Sequence, residues 1–300
     1  LTFTSAADAD IKRENANIDA DTSMGTMLKY GSEGANYFVD NYILPKDIAA
    51  AHINGDIHIH DKDFYMLTET CCQIDLVKLF HDGFSTGHGF IRQPKSIASY
   101  AALACIAIQA NQNEMHGGQS VPNFDYAMAE GVACTFRKEY YDAVQRYFWL
   151  EYDCENVLGE AFRSALKDAM PDRINMSNID DHEELLVQWL LETGEQWLGK
   201  TPAEEEIRRC HKTSIRIAMK ETDQATYQAM ESLIHNLNTM NSRAGAQVPF
   251  SSINYGTCTS PEARMAMKNL LKVTDIGLGN GETAIFPVQI FKVKEGINYN

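Results

Sequence analysis

The chain has 300 residues, 44% of them hydrophobic and 22% charged, which is enough for one large α/β domain or two smaller ones. Gly and Pro are not enriched, so an ordinary folded chain is expected and long disordered stretches are not. With 41 acidic against 26 basic residues the net charge is −15; that repels polyphosphate backbones and excludes duplex nucleic acid as a general partner, but not a small nucleotide held by a few basic groups.

Residues 5–50 read as a polar, helical lead-in with breaks at Thr22-Ser23 and Pro45-Lys46-Asp47, and Ser23 is the expected cap of a helix over 24–41. Alternation over 56–60 predicts a short strand, with Ile57 and Ile59 on one face and His58 and His60 on the other. A Gly-rich loop follows at 83–89. Ser96 then caps a helix over 97–114, where Ala101, Ala102, Ala104, Cys105, Ala107 and Ile108 predict close packing against a neighbour. That helix is expected to stop in a turn at His116-Gly117-Gly118.

Residues 123–242 read as mainly helix, broken near 170–172 and 199–202. A strand at 247–254, a helix at 261–277, a turn at 277–281 and a strand at 283–293 complete the order of a parallel β-α-β unit. The predicted class is α/β with much helix. Acidic runs at 8–21, 180–184 and 204–206 read as solvated faces or caps.

There are seven cysteines, an odd number with no disulfide spacing and no C-x-x-C pair. Free thiols in a reducing cytoplasm are expected, without a zinc site in this chain and without a membrane span. Cys71 and Cys72 open the segment CCQIDL near a strand end. A thiol there can act as reductant, nucleophile or ligand, or can be an inert packed group. Neighbours on a strand point to opposite faces, so at most one of the pair faces a site. His58, His60, Asp61 and Asp63 can bind a metal or form a polar network, and the network is the expectation; no metal ligand is assigned. The Gly-rich segments at 83–96 and 116–120 can cradle phosphate, yet they match neither a P-loop nor a GxGxxG pattern, and tight turns are the plain reading.

The strings IHIHDKDFY, TCCQIDL and GFSTGHGFIRQPKSIASYAALACIAIQANQNEMHGGQS, followed by LNTMNSRAGAQVPFSSINYGT and GLGNGETAIFPVQIFKVKEGIN, resemble the anaerobic (class III, glycyl-radical) ribonucleoside-triphosphate reductases in order from about residue 50 to residue 300. The resemblance implies a ten-stranded α/β barrel of the glycyl-radical type, of which residues 1–50 are a helical lead-in and 51–300 the first half and the start of the second. It implies reduction of a ribonucleoside triphosphate at the 2′ carbon, with an organic glycyl radical, a thiyl-bearing cysteine, formate as reductant, zinc in a carboxy-terminal region and ATP or dNTP effectors. Its partners would be a radical-SAM activating enzyme and a second copy in a homodimer.

The family's strand cysteine precedes a residue pair and Ile-Asp-Leu, which makes it Cys71 here and leaves Cys72 to packing. The resemblance also points to Lys95, Arg137 and Lys138 for the effector's phosphates, and to His60 and Ser96 for the substrate pocket. Asn241, Ser242, Arg243 and Gln247 are further candidates, with a barrel turn as the equal reading. The thiyl motif, glycyl loop and zinc site are not matched, and Cys258 does not fit the thiyl motif. Leu1 in place of Met and the abrupt end at Asn300 suggest a chain cut at both ends, inactive by itself. Other readings are a catalytically silent nucleotide-binding half-barrel, or a glycyl-radical enzyme of the formate-lyase or dehydratase type.

Overall fold

A computed structural model describes residues 22–65, 69–171, 173–243 and 247–299. The acidic run at 8–21 and the start of the predicted lead-in lie outside the described residues. Helix α1 (Ser23–Phe38) is capped by Thr22, whose Oγ1 accepts from the Gly25 N–H at 3.0 Å, so the cap falls one residue before the expected Ser23. A π turn over Val39–Ile43 extends it, and α2 (Lys46–Asn54) ends at Gly55 in a left-handed conformation.

The predicted strand at 56–60 is absent. Its backbone is spent locally instead, with the Ile59 N–H donating to His52 Nδ1 at 3.1 Å. Alternation gives a strand only where a partner edge accepts the ladder, and none does here.

The sheet is built from β1 (Glu69–Gln73), β4 (Met115–Val121), β5 (Ser251–Tyr255) and β6 (Val288–Phe291), all parallel and adjacent in that order. Between β1 and β4 the chain forms α3 (Leu76–Asp82), a small hairpin of β2 (Phe84–Ser85) and β3 (Phe90–Ile91), and α4 (Ile97–Asn111). The Gly-rich segment at 83–89 is therefore largely the tip of a hairpin. Ser96 caps α4 as expected, through a capping box in which its Oγ accepts from the Ser99 N–H and Ser99 Oγ accepts from the Ser96 N–H. Ala101, Ala104, Cys105, Ala107 and Ile108 are buried, while Ala102 faces outward.

The helix stops at Asn111, and His116-Gly117-Gly118 lies inside β4, not in a turn. Paired glycines suit a turn and a strand bulge equally; here Gly117 takes its positive φ of +102° within the strand.

Between β4 and β5 run α5 (Phe124–Tyr152), α6 (Glu160–Ala169), α7 (Glu183–Leu198) and α8 (Glu204–Thr239). Breaks at 170–171 and 199–203 match expectation; those at 153–159 and 174–182 were not foreseen. α9 (Pro261–Ile276) returns the chain from β5 to β6, completing the predicted parallel unit.

One core lies between the sheet and α4, α5, α8 and α9, where Val121, Ile253 and Tyr255 meet Phe124, Met128, Leu233 and Leu270. A second sits among α5, α6, α7 and α8, around Tyr140, Phe148, Phe162 and Leu186. Each such side chain, fully buried, contributes roughly 1.5–3 kcal/mol. The long helices α5 and α8 run through both cores and tie them together.

At the head of α5, Asp125 is buried, and its Oδ2 accepts from the Gly256, Thr257 and Cys258 N–H groups at 2.9, 3.0 and 2.9 Å. That carboxylate fixes the loop after β5 and places Cys258 in a backbone-anchoring turn. Among the described residues, no helix is long and apolar enough to cross a membrane.

Candidate functional site

Cys71 stands at an irregularity in the sheet. Thr70 pairs with His116 and Cys72 pairs with Gln119, so Gly117 and Gly118 of β4 together oppose Cys71 alone. Cys71 adopts φ +51°, a left-handed conformation that costs a residue with a Cβ roughly 1–3 kcal/mol. The result is a thiol turned out of the pleat and exposed.

It lines two cavities at once. One, of about 570 Å³, covers the open sheet face at Gly118, Ser120, Ser252, Phe250 and Phe286. The other, of about 1310 Å³, lies toward His58, His60, Asp61 and His116.

Cys72 behaves differently. It is half-buried against the helical core, and its Sγ accepts from Asn111 Nδ2 at 2.9 Å, while the same amide donates to Gln119 Oε1 at 2.8 Å. Cys71 is thus the exposed thiol of the pair and Cys72 the half-buried one, and both line the smaller cavity. Burial pushes the Cys105 thiol up to about 12, and it raises Cys210 further, which leaves both inert.

The histidine segment is pinned to the lead-in helices. Lys62 Nζ lies 2.7 Å from both Asp40 oxygens, and Ser32 donates to Asp63 Oδ2. Asp61, at φ +49°, places Oδ2 3.2 Å from His60 Nε2 and Oδ1 3.2 Å from His116 Nε2. The rings of His58 and His60 are 5.8 Å apart. Among the described residues, no three His, Cys, Asp or Glu side chains converge as a metal site. His116, carried here by β4, was not singled out from sequence; no local motif links it to Asp61.

Ser96 does not reach these cavities. Its hydroxyl is committed to the cap of α4, close to Lys95. Lys95, Arg137 and Lys138 do come together, in a separate cavity of about 570 Å³ between the head of α4 and the facing sides of α5 and α6. Two further cations join them from α6, Arg163 and Lys167. Their i, i+4 spacing on one helix face was the signal available in sequence.

Each partnered cation here is held by an acid. Arg137 Nη2 lies 3.0 Å from Glu130 Oε1, Lys138 Nζ lies 2.9 Å from Glu139 Oε1, and Arg163 pairs with Asp142. Arg137 also donates to Cys134 Sγ at 3.0 Å, and burial raises that thiol above its usual pKa. Arg243 serves the turn before β5: its Nε donates to Gln247 Oε1 at 2.6 Å and its Nη1 to the Met115 carbonyl at 3.3 Å.

Together these features define an α/β protein with a parallel sheet, an exposed sheet thiol at Cys71, and a pocket lined by five cations and Glu160. The model of the family described as anaerobic ribonucleoside-triphosphate reductase matches residues 14–300, and the chain belongs to that family. It is similar to the anaerobic ribonucleoside-triphosphate reductase of Escherichia coli (strain K12), with 24% identity over 97% of this chain and 32% of that protein. The protein of the same name from Enterobacteria phage T4 is 25% identical over 96% of this chain and 38% of its own length. That from Haemophilus influenzae is 23% identical over 98% and 33%. The chain therefore spans about a third of the length of the curated relatives it matches.

Proposed function

We propose that the full-length gene product reduces ribonucleoside triphosphates to 2′-deoxyribonucleoside triphosphates by anaerobic radical chemistry. The single observation that carries this reading is Cys71, held at a left-handed bulge with its thiol facing a cavity, in a chain of the reductase family. Its four parallel strands would belong to a ten-stranded barrel, with residues 1–50 as lead-in and 51–300 as the first half and the start of the second.

The sugar would lie over the sheet face between Cys71 and Ser252, with His60 at its rim. Loss of the 2′-hydroxyl as water needs a proton, which the Cys71 S–H would give, and the two electrons of the reduction would come from formate as it is oxidised to CO2. A glycyl radical carried elsewhere in the protein would supply the unpaired electron that starts the reaction. A family zinc would likewise be held outside the described residues, where no three ligands converge. Ser96 would act from the substrate side only by ordering the head of α4. Presence of Cys71 favours formate as the reductant.

The cavity of Lys95, Arg137 and Lys138 would take the triphosphate of ATP or a dNTP effector, with Arg163 and Lys167 adding to it. A homodimer, a radical-SAM activating enzyme and a cytoplasmic setting complete the reading.

The test is to activate the full-length product anaerobically with its radical-SAM partner and supply each ribonucleoside triphosphate with labelled formate. Deoxynucleotide formed in step with labelled CO2 is expected. Triphosphate binding with no product under any reductant would favour the silent nucleotide-binding reading.

A further inference from the structure

Asp61 lies between two imidazoles in opposite surroundings. The His60 side chain is 82% exposed in the larger cavity, whereas His116 is 1% exposed. One carboxylate oxygen faces each ring at 3.2 Å.

His116 is not free to move. Its ring stacks on Phe64 with centroids 3.9 Å apart, and its backbone is paired with Thr70 in the sheet. Its Nδ1 is buried and has no hydrogen-bond partner among the described residues. A buried N–H without an acceptor is costly, and more so than a bare ring nitrogen. On that ground the ring would carry its hydrogen on Nε2, which stands 3.2 Å from Asp61 Oδ1. The other oxygen stands 3.2 Å from His60 Nε2 and would accept from it, which leaves Nδ1 as the basic atom of the exposed ring. This is the logic by which a buried carboxylate sets the tautomer of a catalytic histidine.

We propose that His116 is a positioning residue that acts through Asp61 to hold His60 in the tautomer whose Nδ1 exchanges a proton with a molecule bound over Cys71. The proposal rests on the reductase reading for its substrate, a ribonucleoside triphosphate. The step is a proton transfer alone. An N–H bond forms at His60 Nδ1 as a substrate O–H breaks, and the proton then leaves to solvent through the exposed ring.

The other titratable groups of the cavity are His52, His58, Glu33, Asp40, Lys62, Asp63, Tyr65 and Cys71. Lys62 is engaged with Asp40, Asp63 with Ser32, and His52 with the Ile59 N–H. Glu33 pairs with Lys29 at 3.2 Å.

His116→Phe keeps the stack on Phe64 and removes the donor, while His116→Gln restores a donor. Two quantities are read: kcat and KM against pH for deoxynucleotide formation by the full-length product, and the ring ¹⁵N shifts of His60. The Phe variant is expected to lose about a hundredfold in kcat at unchanged KM, with an altered pH profile and mixed His60 tautomers. The Gln variant should regain much of both. Asp61→Asn, of the same size, should reproduce the loss if the Phe variant fails to fold. A Phe variant with the wild-type pH profile and His60 tautomer overturns the proposal, as does a Gln variant impaired equally. If the wild-type product makes no deoxynucleotide at all, the reductase reading fails instead, and the ¹⁵N shifts still decide whether His116 sets the His60 tautomer.

Discussion

The Cys71 thiol lies directly against the backbone of Gly117: a Cβ on that glycine would stand 3.1 Å from Cys71 Sγ and 3.3 Å from the Cys71 nitrogen. The bulge that turns Cys71 outward therefore requires a residue without a side chain opposite it, at a φ of +102° that also favours glycine. Gly118, its neighbour, has open space where a Cβ would be.

Gly117→Ala should accordingly destabilise the chain by roughly 1–3 kcal/mol and change the rate at which Cys71 reacts with iodoacetamide. Gly118→Ala should do much less of either. Thermal melts and mass-resolved alkylation check both, and equal effects at the two glycines would show that the contact with Cys71 is not what selects Gly117.

Much of this arrangement was legible in sequence, for identifiable reasons. Ser96 had a cap's chemistry and a helix pattern after it, and the terminal strand–helix–turn–strand order admits few topologies. Period-two geometry allowed at most one of Cys71 and Cys72 to face a site without saying which; the bulge at Cys71 breaks that period, and both cysteines line the smaller cavity. The strand at 56–60 failed because alternation says nothing about whether a partner edge exists. Gly117-Gly118 failed because glycine permits both a turn and a bulge, and only the packing on Cys71 decides between them. The His60–Asp61–His116 contact joins a loop to a distant strand, and no local periodicity encodes it.

The cationic cavity gives a prediction at a residue that no motif selects. Arg163→Ala should weaken binding of a dNTP to the full-length product by about tenfold, since a charge-assisted hydrogen bond is worth roughly 1.5–3 kcal/mol. Arg137→Ala should do the same, and both should flatten the dependence of affinity on salt. Calorimetry across the four dNTPs and ATP checks this. Unchanged affinity in both variants would place the effector elsewhere.

A pH effect follows from the second core. His211 is buried with Nδ1 2.8 Å from the Tyr140 hydroxyl; burial holds its pKa below the ordinary 6.5 and drives the Tyr140 phenol well above its own usual value. Glu183 and Asp180 partly oppose the shift on His211 and Lys212 adds to it. Below 6.5 the unfolded chain takes up a proton that the folded chain refuses, so stability falls as pH drops from 6.5 toward the folded value and is unaffected above it. The melting temperature of the wild type should thus drop more steeply than that of His211→Gln between about pH 7 and about pH 5.5. Parallel curves would mean that His211 is not held neutral by burial.

The most direct measurement compares Cys71→Ser with Cys72→Ser in the anaerobically activated full-length product, assayed for deoxynucleotide formation. The account predicts no product from Cys71→Ser and substantial turnover from Cys72→Ser, whose half-buried thiol accepts from Asn111. Turnover that survives the loss of the Cys71 thiol, or that is lost with Cys72 alone, would contradict it.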